Sequence, residues 1–471
     1  MTESSLTTHN KFTSGKQMNP TLVLLFIVVV AVVMTWILSS GEFQHQGQKV
    51  IPGTYQVIEK HYSLTQMLGL GAAPAAGQAA PVGIIDGVMA IPAGIVKQAG
   101  LIVMVLFIGG MFGVLNQSGA IEASLERLLG ITKGNIYFLV PTLMLVFSAG
   151  STFMGLAKEY LLVIPLVVAL MNRLGLPNIL GLAVVAVAVK VGYLASVTNP
   201  YALSIAQPLV GVQIFSGLSM RLAAYVLFML TGVAFVLWAI RRHGPVGGTI
   251  DTSFSTQPLS LRHCLMMSTL LVGIAFMVFA ANQWHWKNTQ LSAYYLFLSM
   301  IFSAMSGMGA SASADAFVGG MKKVLIAGLL IGLATAVEIV LSQGKVMDTL
   351  INALVQLVGQ HGPYISAYGM FICQLLLDIV IPSTSGQAAV TMPILGPLGQ
   401  LSGVAPQTTV FAFLMGNGLT NMITPTSSGL LIFLASAQVG WTQWAKFLLP
   451  LFLIFAALAI AMLTVAVAIG Y

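Results

Sequence analysis

The chain has 471 residues, of which 57% are hydrophobic and only 7% charged, and Lys and Arg together exceed Asp and Glu by seven. Soluble domains carry about 25% charged residues, so this composition excludes a soluble globular enzyme and points to an integral membrane protein. The apolar runs are continuous and near 20 residues long, which excludes an alternating β-barrel pattern, and the basic residues sit in short loops, where they report topology and no nucleic-acid partner.

Residues 1–19 read as a polar cytoplasmic tail, with no small-residue cleavage site after the apolar run that follows. Residues 20–38 form the first span, with Pro20 at its start and Trp36 suited to an interface. Residues 39–97 are placed outside the membrane, and Ile84 to Gln98 is expected to lie along its outer surface. Residues 99–117 cross inward, and the loop 118–134 carries Glu122, Glu126, Arg127 and Lys133, which suits the cytoplasm. Residues 135–172 contain two apolar arms around Ser148–Gly155 (SAGSTFMG), read as a hairpin that enters from the cytoplasm and returns to it at Arg173. Residues 177–214 form a long apolar element broken by Thr198-Asn199-Pro200. Residues 220–240 cross back to Arg241 and Arg242, and Arg221 is read as a topological anchor.

The polar linker 241–262 divides the chain nearly in half. A connecting helix over 264–281 crosses outward to Trp284, His285, Trp286 and Lys287, and 291–309 crosses inward. Lys322 and Lys323 are expected to mark a cytoplasmic turn before a span over 324–341. A hairpin over 364–402 enters from outside, a broken element spans 408–435, and 446–469 is the last helix. Cys264 and Cys373 both fall in apolar segments and are read as packing residues, with no metal or disulfide framework.

These elements fall into two halves of inverted orientation, 20–240 and 291–471, joined by 241–290. Each has a hairpin and a broken helix, and both broken helices carry Thr-Asn followed by Pro: Thr198-Asn199-Pro200, and Thr420-Asn421 with Pro425. The expected fold is an all-α, inverted-repeat secondary transporter with two re-entrant hairpins and two broken helices. Its organising stretch is Ile379–Met392 (IVIPSTSGQAAVTM). Pro382 and Gly386 interrupt a helix there at membrane depth, and irregular backbone is tolerated at that depth only inside protein or beside a water-filled cavity.

An anionic substrate needs donors and helix N-termini. Ser151, Thr152, Asn199, Ser383, Thr384, Ser385, Asn421 and Thr426, with amides at Gly386 and Gln387, are the expected substrate contacts. A sodium ion prefers hydroxyl and carbonyl oxygens, and Ser151, Thr198, Asn199, Ser385, Thr420 and Asn421 stand where such a cage could form. The alternative is that these side chains cap the broken helices. Proton coupling needs a titratable group at membrane depth: Glu159 and Asp378 are the candidates, ahead of Asp315 and Glu338, and Lys190 stands as a counter-charge to Asp378 or snorkels. No Walker-type loop is present, so no nucleotide cofactor is expected.

GSTFMGLAKE at 150–159, TNPYALSIAQPL at 198–209, SGLSMR at 216–221, ADAFVGG at 314–320, PSTSGQAAVTMPILGPL at 382–398 and NGLTNMITPTSSG at 417–429 together resemble the C4-dicarboxylate anaerobic-carrier-like family. Its members include proteins called basic amino-acid antiporters, and it lies within the wider ion transporter superfamily. The resemblance covers nearly the whole chain from residue 20. It implies a bacterial inner-membrane homodimer with an elevator-like transport domain on a scaffold, moving a small carboxylate with Na⁺ or H⁺, or alternatively exchanging arginine- or ornithine-like amino acids. The chain departs from the family pattern at Lys158, Thr335, Gln400 and Asn417, where charged residues of the family are changed.

Overall fold

The computed structural model describes residues 20–46, 49–51, 53–68, 77–124, 127, 135–243, 260–284, 286–358 and 362–471. The tail 1–19, linker residues 244–259, Glu126, Lys133 and His285 lie outside them, and so does the side chain of Lys158. Helix α1 (Pro20–Ile37) leads into two antiparallel ribbons: β1 (Ser40–Glu42) pairs with β4 (Gln56–Ile58), and β2 (His45–Gln46) with β3 (Lys49–Val50). Next come α2 (Leu64–Leu68), α3 (Ile84–Lys97), α4 (Ala99–Gln117), α5 (Ile136–Met154), a 3₁₀ turn (Lys158–Leu162), α6 (Ile164–Arg173), α7 (Asn178–Ala195), α8 (Pro200–Leu209) and α9 (Leu218–His243). The remainder is α10 (Leu261–Gln283), α11 (Asn288–Ser306), α12 (Ala310–Gln343), α13 (Met347–Val358), α14 (Pro363–Val380), α15 (Thr384–Leu401), α16 (Pro406–Thr420), α17 (Ser428–Ser436) and α18 (Trp441–Ala468). Among the described residues, seven helices are long and apolar enough to cross a membrane.

Helix α12 is the longest element. Its 34 residues extend about 51 Å at 1.5 Å per residue, well beyond a hydrocarbon core of ~30 Å. Helices α3 and α4, interrupted only at Gln98, lie antiparallel along it. The seam is lined by glycine because backbones touch there. A Cβ at Gly94 would lie 2.4 Å from the Gly332 carbonyl oxygen, and one at Gly113 would lie 2.2 Å from that of Ala316. Only a residue without a side chain allows that approach.

Three expectations differ from the structure. The segment 84–98 is not a surface helix, because its small residues pack it against α12. Lys322 and Lys323 mark no turn. They sit inside α12, and the chain reverses at Gly307, whose φ of 72° suits glycine. Cys264 is also corrected: it is exposed, whereas Cys373 is buried as expected.

The ribbons fasten the outer ends of α1 and α12. The Ser40 hydroxyl donates to the Gly344 carbonyl (2.6 Å), the Phe43 amide donates to Asp348 (3.0 Å), and Lys345 pairs with Glu42 (3.1 Å). The Lys60 ammonium donates to the Thr35 and Leu38 carbonyls at 2.5 and 2.6 Å. It thereby satisfies orphan acceptors at the negative end of α1.

Helix α7 is the hub of the remaining bundle. Of its 18 residues only Asn178, Lys190 and Tyr193 are not fully buried. Helices α5, α6, α9 and α16 surround it, and this is why it reads as apolar on every side. Helices α14 and α16 pack closely, and α15 returns beside α14. The result places the 152–160 turn, the break between α7 and α8, the tip between α14 and α15, and the break between α16 and α17 around one another.

Candidate functional site

The first break begins where Ser196 adopts a left-handed conformation, φ 42°. The bent backbone after it is held by other elements. The Val197 amide donates to the Thr152 hydroxyl (3.0 Å), and the Thr198 amide donates to the Thr152 carbonyl (3.1 Å). The Val197 carbonyl accepts from Arg221 Nε (3.3 Å) and Nη2 (3.2 Å). Arg221 is 1% exposed and also donates to the Phe215 carbonyl and the Tyr471 hydroxyl. Its reading as a topological anchor misses this: its fork of donors satisfies acceptors that the break frees.

The second break is closed by two indoles. Trp444 Nε1 donates to the Met422 carbonyl (2.9 Å) and Trp441 Nε1 to that of Ile423 (2.8 Å). Thr426 ties it to the second hairpin by donating to the Ile379 carbonyl (2.7 Å). Thr420 donates to the Leu375 carbonyl (2.7 Å).

Between these breaks lies a buried polar cluster centred on Asp378, whose side chain has no accessible surface. Asn417 Nδ2 donates to Asp378 Oδ1 at 2.6 Å and to Gln387 Oε1 at 2.7 Å. Asn421 Nδ2 donates to Asp378 Oδ1 and Oδ2 at 3.3 and 3.4 Å. The Asn421 Oδ1 atom accepts from Lys190 Nζ (2.8 Å) and from the Ser427 hydroxyl (2.7 Å). One carboxamide therefore stands between an ammonium and a carboxylate, its oxygen toward the cation and its nitrogen toward the anion. Lys190 does meet Asp378, but through Asn421 rather than directly.

Tyr193 links α7 to the tip between α14 and α15 and to α16. Its hydroxyl donates to Asn417 Oδ1 (2.6 Å) and is hydrogen-bonded to the Thr384 hydroxyl. Gln374 and Gln387 extend the cluster: Gln387 Nε2 donates to Gln374 Oε1 (2.7 Å), and Gln374 Nε2 donates to Thr391 (2.8 Å). Buried polar groups of this density are tolerated because nearly every one is partnered.

A cavity of about 600 Å³ reaches the cluster from the side where α4 and α11 begin. Its walls include Lys97, Glu159, Tyr193, Asn199, Trp286 and Lys287. A second cavity of about 700 Å³ opens at the opposite end, between α4 and α12 on one side and α6 and α7 on the other, and holds Asp315 and Lys323.

The C4-dicarboxylate anaerobic carrier (DcuC) model matches residues 18–468. The chain belongs to that family. It is 26% identical over 484 residues to the Escherichia coli K12 protein named "Putative basic amino acid antiporter YfcC", covering 94% of this chain and 95% of that one. An uncharacterized Haemophilus influenzae protein is 26% identical over 422 residues, covering 85% of this chain and 78% of the other. Among solved structures, the Alcanivorax borkumensis YdaH transporter covers 96% of this chain and 99% of its own at 17% identity and a TM-score of 0.44. Neisseria gonorrhoeae MtrF covers 95% of each at 18% identity and a TM-score of 0.43. This chain is thus a multi-pass carrier of the bacterial inner membrane, and not an enzyme, and it moves a small solute across that membrane by secondary transport.

Of the residues singled out in the sequence, the fold gathers Asp378, Thr384 and Asn421 in one cluster, with Asn417 among them. Thr420 and Thr426 lie at its edge, bonded to α14 carbonyls. Ser151 and Thr152 are fully buried and hold the first break, with Ser151 donating to the Val189 carbonyl (2.8 Å). Thr198 donates to the Phe153 carbonyl (3.1 Å), while Asn199 is buried at the cavity wall.

Ser383 and Ser385 are exposed at the second tip. The amides of Gly386 and Gln387 are less available than expected, because the former donates to the Ser383 hydroxyl (3.3 Å) and the latter to its carbonyl (2.8 Å). Ser383 is simply the N-cap of α15. Glu159 lies outside the cluster and accepts from the Ala157 amide (2.7 Å). Glu338 is paired with Lys97 (3.0 Å) of the first cavity's wall, and Asp315 is exposed beside the second cavity. Of the family departures, Thr335 back-bonds to Ile331 within α12 and Gln400 is exposed.

Sequence reasoning missed Tyr193, Gln374, Ser427, Trp441 and Trp444 as parts of the site, and it named Gln387 for its amide whereas its side chain is what joins the cluster. The available signal was polar residues at helical spacing inside apolar arms. Gln374 and Asp378 stand four residues apart on α14, and so do Asn417 and Asn421 on α16, so each pair shares one face.

Proposed function

We propose that this carrier moves a small organic anion, a mono- or dicarboxylate, by alternating access coupled to Na⁺ or H⁺. The observation that carries this reading is the cluster of Tyr193, Thr384, Asn417, Asn421 and Lys190 at two helix breaks and a hairpin tip, reached by a cavity with Lys97 and Lys287 in its wall. Hydroxyls, carboxamides and an ammonium are the group types that suit a carboxylate once they turn from the bonds they make here to one another and to Asp378, and discontinuous helices near the midplane suit a site read alternately from two sides. In the same proposal, the segments 20–240 and 291–471 act as inverted repeats. The α3–α4–α12 unit serves as scaffold, the hairpins and broken helices travel against it, and two copies associate through the scaffold.

A second reading, exchange of arginine- or ornithine-like amino acids, is favoured by the name of the E. coli relative and by the presence of Asp378 and Glu159. Uptake into liposomes separates them. Labelled mono- and dicarboxylates and basic amino acids are offered with and without inward Na⁺ and H⁺ gradients, beside an Asn421→Ala control. Gradient-driven carboxylate uptake that the substitution abolishes supports the first reading. Basic amino-acid exchange with no carboxylate uptake overturns it.

A further inference from the structure

We infer that the Lys190 ammonium is a tethered replacement for a coupling sodium ion, so that this carrier works without Na⁺. The inference rests on reading the break cluster as the transport site, and deepens that reading by removing one of its two cations.

A hard cation must replace its water with several oxygen ligands. The amide oxygens of the cluster are already engaged by protein donors: Asn421 Oδ1 accepts from Lys190 at 2.8 Å and from Ser427 at 2.7 Å, and Asn417 Oδ1 accepts from Tyr193 at 2.6 Å. Thr420 and Thr198 each donate to a carbonyl across a break, and Ser151 donates to the Val189 carbonyl of α7, so all three are tied to the helices they brace. The two amide oxygens beside Asp378 are therefore taken by protein donors, one of them the Lys190 ammonium, and a sodium ion at that position does not find the several oxygens it needs.

Charge balance points the same way. A carboxylate at membrane depth requires a counter-charge. In a sodium site the ion supplies it. Here Lys190 supplies it across one carboxamide, and a sodium ion added to that pair would leave an uncompensated positive charge in a medium of low dielectric. Lys190 cannot be dismissed as a snorkelling residue. It is the thirteenth residue of α7, roughly 18 Å from the helix start, and its neighbours in the helix are buried on all sides. Its head group ends on Asn421 in the interior and not at an interface.

The test is thermal unfolding of the purified full-length protein as NaCl replaces choline chloride at constant ionic strength. The wild type is expected to show no sodium-specific shift. Lys190→Ala vacates the position beside Asn421 and Asp378, and its unfolding temperature is expected to rise by about 1–3 °C with Na⁺ but not with choline. If that variant cannot be isolated, Asn421→Asp replaces it: an added carboxylate beside the ammonium creates the same demand for a cation and the same sodium-specific rise. A sodium-specific shift in the wild type overturns the inference, and so does a flat response in the variant used. The measurement needs no organic substrate. A failed carboxylate uptake would therefore overturn the proposed function without touching this result, and the reverse also holds.

Discussion

Lys190 and Asp378 do not touch, yet the geometry requires that they feel each other. Lys190 Nζ is 2.8 Å from one end of the Asn421 carboxamide and Asp378 is 3.3 Å from the other. Those two bonds and the width of one amide put the charges within about 8 Å, which at an effective dielectric of about 20 is worth about 2 kcal/mol. Removing either partner leaves the other buried without compensation, a change that costs ~3–5 kcal/mol in comparable pairs. Removing both leaves neutral groups of similar shape. A double-mutant cycle of Lys190→Met and Asp378→Asn, followed by chemical unfolding of the protein in detergent, should therefore show each single substitution strongly destabilising and the double less so than their sum, with a coupling of about 2 kcal/mol. Coupling below ~0.5 kcal/mol, the scatter of independent sites, would refute the idea that Asn421 transmits the interaction.

Other substitutions test other parts of the structure. Trp444→Phe removes the donor to the Met422 carbonyl and should cost about 1–2 kcal/mol in the same unfolding assay, with the second break loosened. Tyr193→Phe leaves the carboxamide oxygen of Asn417 short of its 2.6 Å donor, so it should lower uptake severalfold while costing only about 1–2 kcal/mol in stability. Gly113→Val drives a side chain into the Ala316 carbonyl and should abolish the close α4–α12 seam, seen as loss of folded protein on size-exclusion chromatography. Arg221→Met strands the Val197 carbonyl, and about 2–3 kcal/mol of destabilisation is expected, with Arg221→Lys recovering only part because a single ammonium cannot reproduce the fork.

Much of the helical layout was legible because its signals are local. Pro382 and Gly386 announce the second tip, Thr198-Asn199-Pro200 the first break, and the second Thr-Asn pair falls where α16 stops. What was not legible depended on distance along the chain. Arg221 reads as a residue at the mouth of a span, and only the fold brings the Val197 carbonyl to it. The pair of indoles at 441 and 444 reads as the start of a helix, and only the fold turns them onto the carbonyls of 422 and 423. Lys322 and Lys323 misled for a physical reason: positive charge suggests a loop, but α12 at 34 residues is long enough to carry them without ending there. The short ribbons before residue 60 escaped notice because strands of two or three residues leave no periodic trace.

The bridge from Lys190 to Asn421 also bears on how the protein is made. Its two ends are separated by 231 positions in the chain. At a ribosomal pace of roughly 5–20 residues per second, helix α7 is completed tens of seconds before its partner exists. During that interval a lone ammonium must enter the bilayer on a single helix, at a cost of about 2.5–3.5 kcal/mol near the centre of the span. The leucines, isoleucine and valines that crowd α7 return about 0.3–0.6 kcal/mol each on the same scale. The all-round greasiness of that helix therefore has a second use besides packing: it is the ballast that lets the nascent segment insert while its charge waits for the other half of the molecule.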